Sequence, residues 1–263
     1  MHILPKKLFL QNSSLIYRKM RHSKGHGVHS PFVYNLITKV IREKGSFYRF
    51  KDIELLRKRL LYNNEPIPYP YPGREGKQQQ TTIAKIVSRE AIRPKTGALL
   101  FRLTNYFKSQ CILHIGSSMG LSTLYLTSYA PGLRCVSLGT IPEFAPIAEW
   151  VYKEAARTTI DQHIGNLNEL LPVILKEDAG FDFVFFNNRR EQEDTLHLFT
   201  LCMQYIHTDC VFVIDGIRNN KRTLSHWKEI CTKQEVTVSL DLYNLGIVFV
   251  NKKLYKRNYK VYY

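Results

Sequence analysis

Acidic residues are scarce at the front of this chain. Residues 1–110 hold 22 Lys and Arg against six Asp and Glu, whereas residues 111–263 hold 16 of each. The whole excess of +16 therefore sits in the first segment, which argues against a neutral surface there and for an anionic partner, nucleic acid or anionic lipid included. A solvated basic face kept for solubility is the plainer reading of the same charge. No RNA-binding module signature accompanies it, so only sequence-independent binding follows. Long apolar runs are also missing: no window holds 18 consecutive apolar residues, so no membrane span is expected. The only apolar stretch at the start is interrupted by Lys6 and Lys7, too short for a secretory core. The five cysteines form no C-x-x-C pair, which excludes a disulfide framework or zinc site and fits a reducing cytoplasm. There is no G-x-G-x-x-G and no internal repeat.

What the chain does have is Cys111–Leu126, CILHIGSSMGLSTLYL. An apolar strand ends at Gly116, a turn carries Gly120, and Leu121 onward reads as a helix. Glycines admit close backbone approach, and free N–H groups at a helix start favour a negative group. The G-x-x-x-G spacing alone is equally a matter of turn geometry; its neighbourhood carries the reading.

Before it, helices are predicted over about 31–44, capped by Ser30 and opened by Pro31, and over 50–61, 83–92 and 98–107. A Pro-, Gly- and Gln-rich loop fills 63–80, with Tyr69 and Tyr71 in PYPYPG. After it, strands are predicted at 111–115, 133–138, 160–164, 181–186 and 210–214, separated by helices at about 121–129, 142–156, 167–176, 190–205 and 220–233. Such alternation builds a parallel sheet with right-handed crossovers. The last two strands, 236–242 and 246–250, are separated by Tyr243-Asn244-Leu245, too short for a crossover, so they pair antiparallel.

With those elements in order, the chain over roughly 95–263 resembles the class I S-adenosylmethionine-dependent methyltransferases, nearest to their O-methyltransferase-like group. The likeness rests on His114-Ile-Gly116-Ser-Ser-Met-Gly120-Leu-Ser122, VSLGTIPEFAPIAEW, GNLNELLP, FDFVFFNN, VFVIDGI and DLYNLGIVFV. The front stretch KGHGVHSPFVYNLI is similar to the leader of bacterial members. The resemblance implies a Rossmann-like three-layer α/β sandwich with a seven-stranded, mostly parallel sheet and an antiparallel C-terminal hairpin over 96–263. A basic, mainly helical extension over 1–95 precedes it. It implies S-adenosylmethionine as cofactor, with Gly116, Ser117, Ser118 and Gly120 wrapping the methionine end and Ser122 near its carboxylate. Gly139 and Thr140 then face the ribose, Asn166 and Leu167 flank the adenine, and Asn187 and Asp215 sit over the reacting methyl group.

The family's acids are replaced, however: the first motif has His114, the ribose position Gly139, the end of the fourth strand Asn187, and Gly216 follows Asp215. Hydrogen bonds to charged groups contribute about 1.5–3 kcal/mol each, so two or three lost contacts weaken cofactor binding by roughly 10² to 10⁴. Asp215 alone offers a hard oxygen ligand of the kind magnesium needs, and no metal is expected. Candidate general bases are Asp215, whose alternative role is capping the next helix, and His29 with His26 in a glycine-containing loop. Arg189 and Arg190 are candidates for holding an anionic group. Two functions follow: methyl transfer to an oxygen or nitrogen of an unassigned acceptor, or a degenerate member that scaffolds an anionic partner.

Overall fold

The computed structural model describes residues 28–68, 80–157, 159–177, 180–188, 194–206 and 209–263. His22, His26, Tyr17, Arg18, Lys19, Arg21, Lys24, Tyr69, Tyr71, Arg189 and Arg190 lie outside the described residues.

Ser30 caps the first helix, its hydroxyl accepting from Val33 N, and Pro31 takes the position where a missing N–H costs nothing. This helix, α1 (Pro31–Leu36), continues as a π-turn over Ile37–Ile41. It is followed by α2 (Tyr48–Leu61), α3 (Ile83–Glu90, capped by Thr82) and α4 (Pro94–Phe107). Between α2 and α3, the segment expected to be loop is partly paired: β1 (Pro66–Pro68) lies antiparallel to β2 (Gln80–Thr82).

Next come β3 (Cys111–Ile115), α5 (Leu121–Thr127), β4 (Arg134–Gly139), α6 (Ala145–Glu154), β5 (Ile160–Ile164) and α7 (Leu167–Glu177). They are followed by β6 (Phe183–Phe186), α8 (Thr195–Tyr205), β7 (Val211–Asp215) and α9 (Lys221–Thr232). The chain closes with β8 (Val238–Asp241), β9 (Leu245–Phe249) and β10 (Arg257–Lys260).

The sheet order is β10-β8-β9-β7-β6-β3-β4-β5. Strands β3 to β7 run parallel, and β9 is antiparallel to both β7 and β8. The expected seven strands are therefore eight among the described residues: β10 adds a parallel edge beside β8. Its sequence, RNYK, buries only Tyr259, and such a polar, one-residue-deep edge carries no strand pattern.

Alternation along the central strands sorts them between two cores, as a sheet covered on both faces requires. Ile112, Phe183, Phe185, Val213 and Ile247 face α1 to α6; Leu113, Ile115, Val184, Phe186 and Ile214 face α7 to α9. The helices before residue 95 are continuous with the first of these cores, Leu36, Ile37, Leu56 and Ile86 sharing one cluster with Phe249. Among the described residues, no helix is long and apolar enough to cross a membrane.

Two contacts brace the helix that follows the glycine turn. Gly97 of α4 lets the Tyr125 ring of α5 lie against its backbone, where a Cβ would stand 2.4 Å from Cδ2. The Tyr125 hydroxyl donates to Glu54 Oε1 of α2 at 2.7 Å. Gly97→Ala is expected to cost about 1–2 kcal/mol by overpacking, read as a lower denaturant midpoint with an unchanged m-value. A midpoint equal to wild type would show that the two helices part freely.

Candidate functional site

A parallel sheet places its ligands beyond the carboxyl ends of its strands, where winding reverses. Here β3 and β6 are neighbours although β4 and β5 separate them in sequence, so the reversal falls between Ile115 and Phe186. The two segments that leave those strands stay tied to the sheet for one more residue. Ser117 N donates to Leu138 O at 2.7 Å and Asn187 N to Ile115 O at 2.9 Å.

Between them, Gly116 turns left-handed at φ +78°, and a Cβ there would stand 2.7 Å from the Asn187 carbonyl oxygen. Gly120, at φ +83°, caps α5 and fits against Val151 and Tyr152 of α6. Both are backbone shapes that an L side chain resists. Ser117 Oγ and Asn187 Oδ1 are buried at this corner with no hydrogen-bond partner among the described residues. Unpaired polar atoms in a dry corner cost free energy unless a ligand or water completes them. Ser118 is half-buried and Ser122 buried in the first turn of α5.

Beneath the turn lies a buried polar chain absent from the sequence reading. Tyr152 OH donates to Thr123 Oγ1 at 3.0 Å, and His114 Nδ1 lies 2.9 Å from the same hydroxyl. His114 is fully buried, stacked beside Phe185, and burial pulls its pKa down to about 3. It is a neutral core residue where the resembling family carries an acid.

Asp215, at the end of β7, is 8% exposed and accepts from Gly216 N at 3.0 Å. It opens onto a cavity of about 470 Å³ lined also by Asn219, Asn244, and Arg89, Glu90, Arg93 and Thr96 from the front helices. The loop that carries Gly216 is held by Arg218, whose guanidinium pairs with both oxygens of Asp241. Arg89 and Arg93 carried no sequence signal, because nothing local says that α3 reaches across to β7.

Three candidates are placed apart from this corner. His29 precedes α1, whose Phe32 packs on Phe107 and on Phe249, which pairs with Val211 at the opposite end of β7 from Asp215. It therefore lies toward the amino end of β7, opposite the end that carries Asp215, and is not brought together with Asp215 and Asn187. Leu167 is fully buried in the core with Val136 and Leu138, so its side chain faces no cleft. Asn166 is exposed and occupied at the start of α7, where its Oδ1 accepts from Asn168 N and its Nδ2 donates to Glu169. Gly139 is buried, and a Cβ there would meet Ile164 Cδ1 at 2.9 Å and Ser117 Oγ at 3.1 Å. A side chain at that position would have to displace the tip of Ile164 and crowd Ser117, while Thr140 beside it is half-buried. Among the described residues, no three His, Cys, Asp or Glu side chains converge as metal ligands.

The fold as a whole has counterparts among solved structures. An O-methyltransferase from Bacillus cereus, in complex with S-adenosylhomocysteine, matches with a TM-score of 0.54 at 15% identity, over 83% of this chain and 96% of that one. The fold is that of the class I S-adenosylmethionine-dependent methyltransferases. The O-methyltransferase TomG from Streptomyces achromogenes, in complex with S-adenosylmethionine, gives 0.55 at 17% identity over 83% and 95%. A methyltransferase from Podospora anserina, bound to S-adenosylhomocysteine, gives 0.58 at 11% identity over 95% and 98%. No protein-family model and no curated protein matches the sequence. The methyltransferase fold thus stands on architecture, and Gly116, Ser117, Asn187 and Asp215 lie at or just past the carboxyl ends of β3, β6 and β7.

Proposed function

We propose that the protein binds S-adenosylmethionine at the Gly116–Gly120 turn and transfers its methyl group to an oxygen or nitrogen of an acceptor held beside Asp215. The observation that carries this is the β3/β6 corner, where Gly116 turns left-handed and two buried polar atoms, Ser117 Oγ and Asn187 Oδ1, lack partners among the described residues. Those residues hold the cofactor, and Ser122 and Thr140 border it. When bound, S-adenosylmethionine supplies an electrophilic methyl group on a sulfonium. The chain contributes position and a proton acceptor: Asp215, buried and fixed by Gly216 N, takes the proton of the acceptor's hydroxyl or amine. Arg89 and Arg93 make the acceptor cavity receptive to a carboxylate- or phosphate-bearing molecule.

Calorimetric titration with S-adenosylhomocysteine tests the reading; a saturable heat below millimolar concentration is expected, and silence throughout that range refutes it. Ser117→Ala separates binding from folding. Its hydroxyl has no partner among the described residues, so stability is expected to hold or rise by about 1 kcal/mol while the ligand binds roughly fivefold more weakly. A loss of stability with unchanged binding would assign Ser117 to the scaffold alone.

A second reading is a methyltransferase fold kept as a scaffold for an anionic partner, nucleic acid or anionic lipid, reached through the basic front segment. Support for it comes from the crowded Gly139 corner and the neutral His114. Salt-sensitive retention on such a partner together with no heat from S-adenosylhomocysteine would decide for it.

A further inference from the structure

A second cavity, of about 510 Å³, lies on the other face of the first turns of α4 from the Asp215 cavity. Arg93 and Thr96 line the latter, whereas Lys95, Ala98 and Arg102, spaced to share one helix face, line the former. Arg42 and Lys44, just past the π-turn, complete its charge, and Tyr262 and Tyr263 form a wall.

Arg102 is the unusual member. It is only 8% exposed, and its Nε donates to Val40 O at 2.9 Å. No Asp or Glu among the described residues pairs with it. Its other contact is the Tyr263 hydroxyl, a neutral group, so a guanidinium largely taken out of water has no carboxylate to balance it, which is costly. Among the described lining residues the one acidic side chain, Glu43, is turned onto the backbone N–H of Gly45. Four cationic side chains thus face one space with a single, locally engaged acidic one. The crowding is felt: Lys95 is held below the ordinary lysine range by burial and by the charge of Arg102. Tyr263 is fixed as a lining, its hydroxyl donating to Lys95 O and its ring centroid 4.3 Å from Lys95 Nζ.

We propose that this cavity is a binding site for a phosphate-bearing small molecule, gripped by Arg102 at its floor and by Arg42, Lys44 and Lys95 at its rim. Phosphate fits better than carboxylate, because one carboxylate cannot balance several cations whereas a phosphate ester carries close to two charges and three acceptor oxygens. The volume suits a mononucleotide or a smaller phosphorylated metabolite. The site is independent of the methyl-transfer reading.

Calorimetry on the full chain with inorganic pyrophosphate, and separately with ATP, tests it. Wild type is expected to bind at least one of them, and the double variant Lys44→Gln/Lys95→Gln to bind it at least about tenfold more weakly. Lys44 and much of Lys95 face solvent, and melting is expected to show that the variant folds. Arg102→Met is expected to abolish binding, and where melting shows that it fails to fold, the double variant decides. Tighter binding of ATP than of pyrophosphate assigns the site to nucleotides, and the reverse to the phosphate chain itself. No heat from either up to roughly millimolar concentration, or equal affinity in wild type and the double variant, overturns the proposal. So does retention of an RNA oligonucleotide with no response to pyrophosphate.

Discussion

Replacing Gly116 by alanine is expected to cost about 3 kcal/mol of stability and to weaken S-adenosylhomocysteine binding more than about 100-fold. Two costs combine. At φ +78° an L side chain is strained by about 1–2 kcal/mol. The added methyl would also stand 2.7 Å from the Asn187 carbonyl oxygen, and that oxygen cannot step back, because Asn187 N is bonded to Ile115 O at 2.9 Å. Relief comes only by spreading β3 from β6, which pulls apart the corner that Ser117 and Asn187 form. Gly132 is the internal control. Its φ is +79°, yet nothing lies within 4 Å of its Cβ position, so Gly132→Ala is expected to lose only the conformational share, about 1 kcal/mol. Urea unfolding of the two variants reads the difference directly; equal losses would mean that the Asn187 contact carries no weight.

That glycine was legible in the sequence for a physical reason: a strand that must turn left-handed onto a helix start selects glycine over every L residue. The same holds for the buried strands. β3 runs over the residues its apolar run indicates, since a strand covered on both faces has little freedom in composition. Legibility fails where a residue's role depends on a distant neighbour. β10 reads as tail because its ladder partner, β8, supplies the burial of Tyr259. His29 sits in a glycine-containing basic loop, but nothing local to that loop says which end of β7 it lies toward; the packing of Phe32 on Phe249 decides that. Leu167 follows the family's adenine position, yet an aliphatic side chain at the start of an amphipathic helix goes to the core.

The cations show the same divide. Charge counting detects the basic excess of residues 1–110 but cannot distribute it. In three dimensions it separates between two faces at the start of α4, with Arg93 lining the Asp215 cavity and Arg102 and Lys95 lining the other. Long-range placement turns a diffuse surplus into two cavities of different character, one mixed in sign and one almost wholly positive.

Acid is expected to unfold this protein through His114. Its ring is buried without exposure, with Thr123 and Phe185 beside it and no carboxylate pairing with it among the described residues, so burial holds its pKa at about 3. In the unfolded chain the same ring has an ordinary histidine pKa near 6.5. Above that pH neither state binds the proton, and stability is at its full value. Below it the unfolded chain takes up a proton that the fold refuses, so stability falls by about 1.4 kcal/mol per pH unit, down toward pH 3. At pH 5 the loss from this one residue is about 2 kcal/mol, a large share of the stability of a typical domain. His114→Leu, which leaves the Tyr152–Thr123 hydrogen bond intact, is expected to flatten that part of the curve whatever its stability at neutral pH. Urea midpoints of wild type and variant between pH 5 and pH 8 make the comparison, and parallel slopes would acquit His114. The same burial has a functional consequence: where the family sets an acid beneath its cofactor, this chain holds a ring that stays uncharged at every pH at which it is folded. On the proposed function, binding at the Gly116 turn is expected to depend on backbone, Ser117 and Asn187 and not to change with the charge state of position 114.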